Sequence, residues 1–142
     1  MQIMATESKT RRPAQREQKE QEALFRWRDL VRSTGRYPGI GTMFAIPNGA
    51  HLQGNDARRA AQWSRLRRAG ARSGVSDVFL PVARNGRHGL WIEMKAPKPH
   101  DAPVTKDQTA WITEMREEGY EAHVAYGWSE AIGIINRYYG VE

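Results

Sequence analysis

Two acids and a lysine stand in this chain where apolar strands would ordinarily carry neither. Gly-Val-Ser-Asp fills 74–77 and opens an apolar run; a short turn later, Trp-Ile-Glu-Met-Lys fills 91–95. Alternate side chains of an extended strand share a face, so Glu93 and Lys95 point one way while Ile92 and Met94 point the other. Unpaired charge within apolar strands is costly, which gives the pattern a chemical reading. Asp77 and Glu93 would hold a divalent cation, Mg²⁺ or Mn²⁺, with Lys95 beside the water that the cation activates. That is the layout of a metal-dependent phosphodiesterase. Lys95 would orient or deprotonate the water, or neutralise charge on the phosphoryl oxygens. A salt bridge from Lys95 to Glu93 or Asp77 is the plainer reading, and both can hold in turn. Solvent-facing strand-end charges are the plain alternative for the two acids.

Helices and strands must bring these groups together. Leu24, Trp27 and Val31 recur at helical spacing, which predicts a helix over 13–32, ended by Gly35, Pro38 and Gly39. On that helix Glu17 and Gln21 lie four apart and share a face, whereas Glu20 lies nearer the centre of the apolar stripe. Spacing alone favours Glu20 as a third acid at the site. A short strand is expected at 42–46, stopped by Pro47-Asn48-Gly49. A helix over 56–69 follows, with Asp56 as N-cap and Gly70 beyond its end. Strands over 77–83 and 89–95 flank Arg84-Asn85-Gly86-Arg87, and Asn-Gly there predicts an antiparallel hairpin. Pro97, Pro99 and Pro103 make the next loop non-helical. A helix over 105–118 carries Trp111, Ile112 and Met115 on its apolar side, and Thr105 with Gln108 reads as a capping box. A strand at 121–126 and a final helix capped by Ser129, with Ile132, Ile135 and Tyr139, complete the order. The sequence of elements predicts an α/β fold with a mixed sheet flanked by helices.

Arg58, Arg65, Arg68 and Arg72 recur at roughly helical spacing and form a basic stripe on the second helix, opposite Ala60 and Trp63. Such a stripe binds phosphates without reading sequence; a solvated arginine face is the alternative. Lys98 and Lys106 add positive charge beside the strand that bears Glu93. Over the whole chain 22 Lys+Arg outweigh 16 Asp+Glu, a net charge of +6 that suits a polyanionic partner. The 142 residues fit one domain over 13–142, preceded by a polar arm at 1–12 that reads as disordered. Without cysteine there is no disulfide framework and no Cys-ligated zinc. The charged first residues do not form a secretory signal, and no apolar run reaches membrane-spanning length. The expectation is a soluble, cytoplasmic protein. His51 and His88 lack the spacing of metal ligands, and His88 is expected to fix the turn before its strand through a hydrogen bond.

Several segments together resemble the VRR-NUC (virus-type replication-repair nuclease) family of the PD-(D/E)xK nuclease superfamily. They are Phe-Ala-Ile-Pro-Asn-Gly (44–49), Arg-Ala-Gly-Ala-Arg-Ser-Gly-Val-Ser-Asp (68–77), His-Gly-Leu-Trp-Ile-Glu-Met-Lys (88–95), Gln108 and Gly-Tyr (119–120). The family usually has proline before the first acid, and this chain has Ser76. The resemblance implies a restriction-endonuclease-like αβββαβ core with one helix inserted after the first strand. It also implies catalytic Asp77, Glu93 and Lys95, a metal-binding carbonyl from Met94, and Gln108 facing the site to position Lys95 or a phosphate. As the third acid of the metal site, directly or through water, it selects Glu17, because the family's helix carries an acid four residues before a glutamine. The function implied is a divalent-metal-dependent endodeoxyribonuclease acting on branched or flapped DNA, four-way junctions included, in a phage or bacterial setting and as a homodimer. The competing readings are an inert or RNA-directed nucleic-acid-binding module with the same basic surface, an RNase, or a sequence-specific restriction enzyme.

Overall fold

A computed structural model of the chain describes residues 13–47 and 52–142. The expected arm at 1–12, His51 and the Asn48-Gly49 part of the first turn lie outside the described residues. Helix α1 spans Pro13–Val31, β1 Phe44–Ala45, α2 Asp56–Arg68, β2 Val78–Leu80 and β3 Leu90–Lys95. Helix α3 spans Lys106–Glu117, β4 Glu121–Tyr126 and α4 Trp128–Tyr139, with one 3-10 turn at Ile40–Thr42 before β1. The sheet order is β1-β2-β3-β4. β1 and β2 are antiparallel, as are β2 and β3, whereas β3 and β4 run parallel. The α/β architecture with a mixed sheet is as the sequence predicts.

The expected hairpin is present. Arg84 and Arg87 exchange backbone hydrogen bonds of 3.1 and 2.7 Å across Asn85 and Gly86. Both central residues have positive φ, 50° and 73°, the mirror-type turn that matches strand twist and that Asn-Gly favours. The strand expected at 77–83 is shorter, however. Pro81 lacks the N–H a ladder needs, and β2 stops at Leu80. The strand expected at 42–46 likewise shrinks to two residues at the sheet edge, the preceding stretch coiling into the 3-10 turn.

The alternation read from β3 divides the sheet into two unlike faces. Val78, Leu80, Leu90, Ile92 and Met94 are buried with Leu24 of α1 and with Ala131, Ile134 and Ile135 of α4. In α4 the buried positions 131, 134, 135, 138 and 139 follow the helical period of an apolar stripe, and each large aliphatic side chain so buried contributes about 1.5–3 kcal/mol. On the opposite face Phe79 stacks on Trp91 at 4.1 Å, and Trp91 meets Trp111 of α3 edge-on at 5.1 Å. Glu93 and Lys95 continue this second face past Trp91, toward the N-terminal end of α3.

Two helix caps differ from expectation. Asn55, not Asp56, caps α2 by accepting from the Arg58 N–H. Ser129 lies within α4, and the cap comes from another helix: the Glu20 carboxylate accepts from the Trp128 N–H at 2.9 Å. Among the described residues no helix is long and apolar enough to cross a membrane.

Candidate active site

Asp77 precedes β2, and Glu93 and Lys95 end β3. The antiparallel register places Val78 opposite Ile92, so the residue before Val78 comes level with the one after Ile92. The Asp77 side chain accepts from the Met94 N–H at 2.7 Å, a bond that orients one carboxylate oxygen beside Glu93. Gly74 makes the approach possible. Its φ is +90°, and a Cβ there would lie 2.3 Å from the Asp107 carbonyl carbon. Only glycine lets the loop bearing Asp77 close onto the first turn of α3.

Glu93 and Lys95 are each only 3 % exposed. Burial, and then the neighbouring Asp77 carboxylate, push the Glu93 carboxyl up to about 9. Gln108 Nε2 donates to Glu93 Oε1 at 2.7 Å. Glu93 Oε2 is buried and has no hydrogen-bond partner, an arrangement that costs roughly 1–3 kcal/mol when nothing else satisfies it. Lys95 Nζ lies 3.7 Å from Glu17 Oε1 and 4.0 Å from Glu93 Oε1, and it donates to the Pro103 carbonyl at 3.3 Å. Burial also raises the Glu17 carboxyl, against the lowering effect of Lys95.

These contacts bear on the choices that the sequence left open. Glu17 reaches the site through Lys95, while Glu20 is engaged at the N-terminus of α4. Gln108 closes the expected capping box, its Oε1 accepting from the Thr105 N–H, while its Nε2 donates to Glu93 and not to Lys95. Met94 presents its backbone here and buries its side chain in the core. Helix α2 ends at Arg68, within one residue of the expected end, so the arginine spacing that ran on to Arg72 overstates the stripe. Arg58, Arg65 and Arg68 are exposed on it. Arg72 lies beyond the helix, paired with Glu114 and placed over the Trp111 ring. Lys98 sits over the Tyr126 ring at 5.0 Å, and Lys106 opens α3 exposed to solvent. The His88 backbone N–H, rather than its ring, bonds Gly119 O at 2.9 Å. The Pro103 carbonyl on Lys95 was not legible in the sequence, since a main-chain group leaves no residue-type signal.

The donor set fits a divalent cation. Two adjoining carboxyl groups, one with an unpartnered buried oxygen, form a site that a hard cation would satisfy and that Mg²⁺, retaining several waters, would need only in part. Among the described residues no group of three or more His, Cys, Asp or Glu side chains is arranged to hold a metal, so the protein donors would be Asp77, Glu93 and backbone oxygen.

No curated protein matches the chain. A solved structure, a VRR_NUC domain protein, is similar with a TM-score of 0.69 and 26 % identity over 86 % of each chain. The family model described as VRR-NUC domain matches residues 15–128, a span that includes Glu17, Asp77, Glu93, Lys95 and Gln108. The chain belongs to the VRR-NUC domain family, a family of nuclease-type domains.

Proposed function

We propose that the protein is a divalent-metal-dependent endodeoxyribonuclease that hydrolyses phosphodiester bonds in branched or flapped DNA. The observation that carries this reading is the buried pairing of Glu93 with Asp77, its second oxygen unsatisfied, with the Lys95 ammonium 4.0 Å from the first. A pure binding surface gains nothing from carboxylates turned toward phosphate. A divalent cation held by Asp77 and Glu93 supplies Lewis acidity toward the phosphate and makes nearby water a stronger nucleophile.

The chain's own groups have distinct tasks. Asp77 is oriented by the Met94 N–H, and Glu93 by Gln108. Lys95, anchored between Glu17 and the Pro103 carbonyl, offers a proton donor to a phosphoryl oxygen or a hydrogen bond to the attacking water. The remaining positive surface, with Arg65 and Arg68 exposed on α2, supplies non-specific affinity for the DNA backbone.

The test is a panel of labelled flap, fork, four-way-junction and linear duplexes, each incubated with Mg²⁺, Mn²⁺ or EDTA. Cleavage should require metal. Glu93→Gln and Asp77→Asn should each abolish it while DNA binding persists. Turnover in EDTA, or near-wild-type turnover in both variants, would discard the mechanism. Binding to every substrate with cleavage of none would replace it by a binding-module reading.

A further inference from the structure

A cleft of about 740 Å³ adjoins the carboxylate pair, walled by Trp63, Arg72, Trp111, Ile46, Pro47 and Gln108. Gln108 is the hinge between the two, since the same side chain lines the cleft and holds Glu93. The cleft shares Trp63, Arg72 and Ser73 with a more polar groove of about 470 Å³ that reaches Arg67 and Asp107. Arg67 is shared in turn with a shallower depression beside Ser64 and Arg68. A track thus leads from the carboxylates past two indoles to arginines.

Among the described residues, core packing does not use the α2 side of this cleft. Helix α2 has no buried residue, so Trp63 is not a core side chain. Arg72 is fixed in place, its guanidinium 5.2 Å from the Trp111 ring centroid and ion-paired with Glu114. Indole and guanidinium planes are the groups on which unpaired bases stack, whereas bases within a duplex already have both faces covered. The arginines farther along match phosphates. The Asp107 carboxylate lies on the opposite account, and a strand would keep to the Arg67 and Arg68 side.

We infer that this cleft is a subsite for an unpaired nucleobase, stacked on Trp63 with Arg72 and Trp111 as the facing wall, of a DNA strand whose phosphates continue over Arg67 and Arg68. The inference rests on the nuclease reading in one respect, that the unpaired strand adjoins the phosphate to be cut.

The experiment compares two DNAs in EDTA: a duplex with a short oligo-dT flap carrying 2-aminopurine at its first unpaired position, and the blunt duplex of the same sequence. The wild-type protein should prefer the flapped DNA by about tenfold or more, the effect of one stacked base, and the 2-aminopurine emission should change on binding. Trp63→Ala should bring the affinity ratio close to one, and Trp63→Phe should recover part of it. An unchanged ratio in Trp63→Ala, or unaltered 2-aminopurine emission at saturation, overturns the inference. Self-association of the free protein that Trp63→Ala abolishes also overturns it, because a second copy then occupies the cleft. The ratio is read without metal. Failure of the nuclease reading shows instead as absence of cleavage by the wild-type protein in Mg²⁺ and Mn²⁺.

Discussion

Gln108 and Glu93, fifteen positions apart, are joined at 2.7 Å by a side chain that also closes the capping box of α3. The amide oxygen stabilises the helix and the amide nitrogen holds a carboxylate of the site. A glutamine fills both roles because it carries an acceptor and a donor on one head group. The first turn of α3 and the end of β3 are therefore locked to each other, and the Gly74 loop closes against the same turn.

Removing the two roles separately should give different results. Thr105→Ala deletes the hydroxyl cap, and a loss of about 1 kcal/mol is expected with cleavage changed little. Gln108→Leu removes the reciprocal cap and leaves Glu93 Oε1 without its donor, so stability should fall further and single-turnover cleavage should drop by tenfold or more. Thermal melts and single-turnover rates at saturating Mg²⁺ are the readouts. Equal rates in the two variants would reduce Gln108 to a cap.

The Glu93 carboxyl gives the metal-free protein a definite pH dependence. Its folded value is raised to about 9 by burial and by Asp77, while the unfolded chain titrates near an ordinary glutamate at about 4.3. Between those values the folded state holds a proton that the unfolded state has released. Stability from this group is complete below the unfolded value and is lost as pH rises through the folded one. In EDTA the melting temperature should decline from about pH 5 toward pH 9, and Glu93→Gln should flatten the decline. Metal competes with that proton, so Mg²⁺ or Mn²⁺ should raise the melting temperature more at pH 8.5 than at pH 6. A metal-induced rise that is the same at both pH values would remove Glu93 from the binding group.

Glu17 and Glu20, three apart on α1, should separate by phenotype. Glu20→Ala strips the cap from α4 and should destabilise by about 1 kcal/mol while sparing cleavage. Glu17→Gln removes the carboxylate 3.7 Å from Lys95 and should slow the chemical step with little effect on melting. The reverse assignment of phenotypes would make Glu20 the residue of the site.

What the sequence made legible was local. The Asn85-Gly86 turn, the Thr105–Gln108 box and the span of β4 each follow from neighbouring residues, and the alternation in β3 separated Glu93 and Lys95 from the core positions. The acids at 77 and 93 stand out because apolar strands rarely tolerate them. Long-range contacts were not legible in the same way. Glu20 caps a helix 108 positions away, a partnership that leaves no periodic trace, and Ser129 was the nearest cap-forming residue in its place. Gly70, with φ of +103°, ends α2 where expected and leaves Arg72 past the helix, but the contacts of Arg72 with Trp111 and Glu114 carry no sequence signal. The aromatic cleft arises where α2 faces α3, and neither helix alone carries a signal for it.

Of the four exposed arginines on α2, the shortened stripe keeps Arg58, Arg65 and Arg68, and Arg67 lies outside it. Each phosphate contact releases condensed counterions, so the logarithm of affinity falls with the logarithm of salt by about 0.9 per contact on duplex DNA. Replacing all three with alanine should make the slope shallower by up to about 2.7 and weaken binding to every DNA shape by a similar factor. Arg72→Ala should behave differently. Its guanidinium is engaged with Glu114 and Trp111, so its loss should lower the preference for flapped over blunt DNA more than it lowers the duplex salt slope. Affinities for a four-way junction, a flap and a blunt duplex between about 50 and 200 mM salt supply both quantities. A wild-type slope in the triple variant means that these three arginines do not touch duplex phosphates, and the contact surface would then lie nearer the carboxylates, at Lys98 and Lys106.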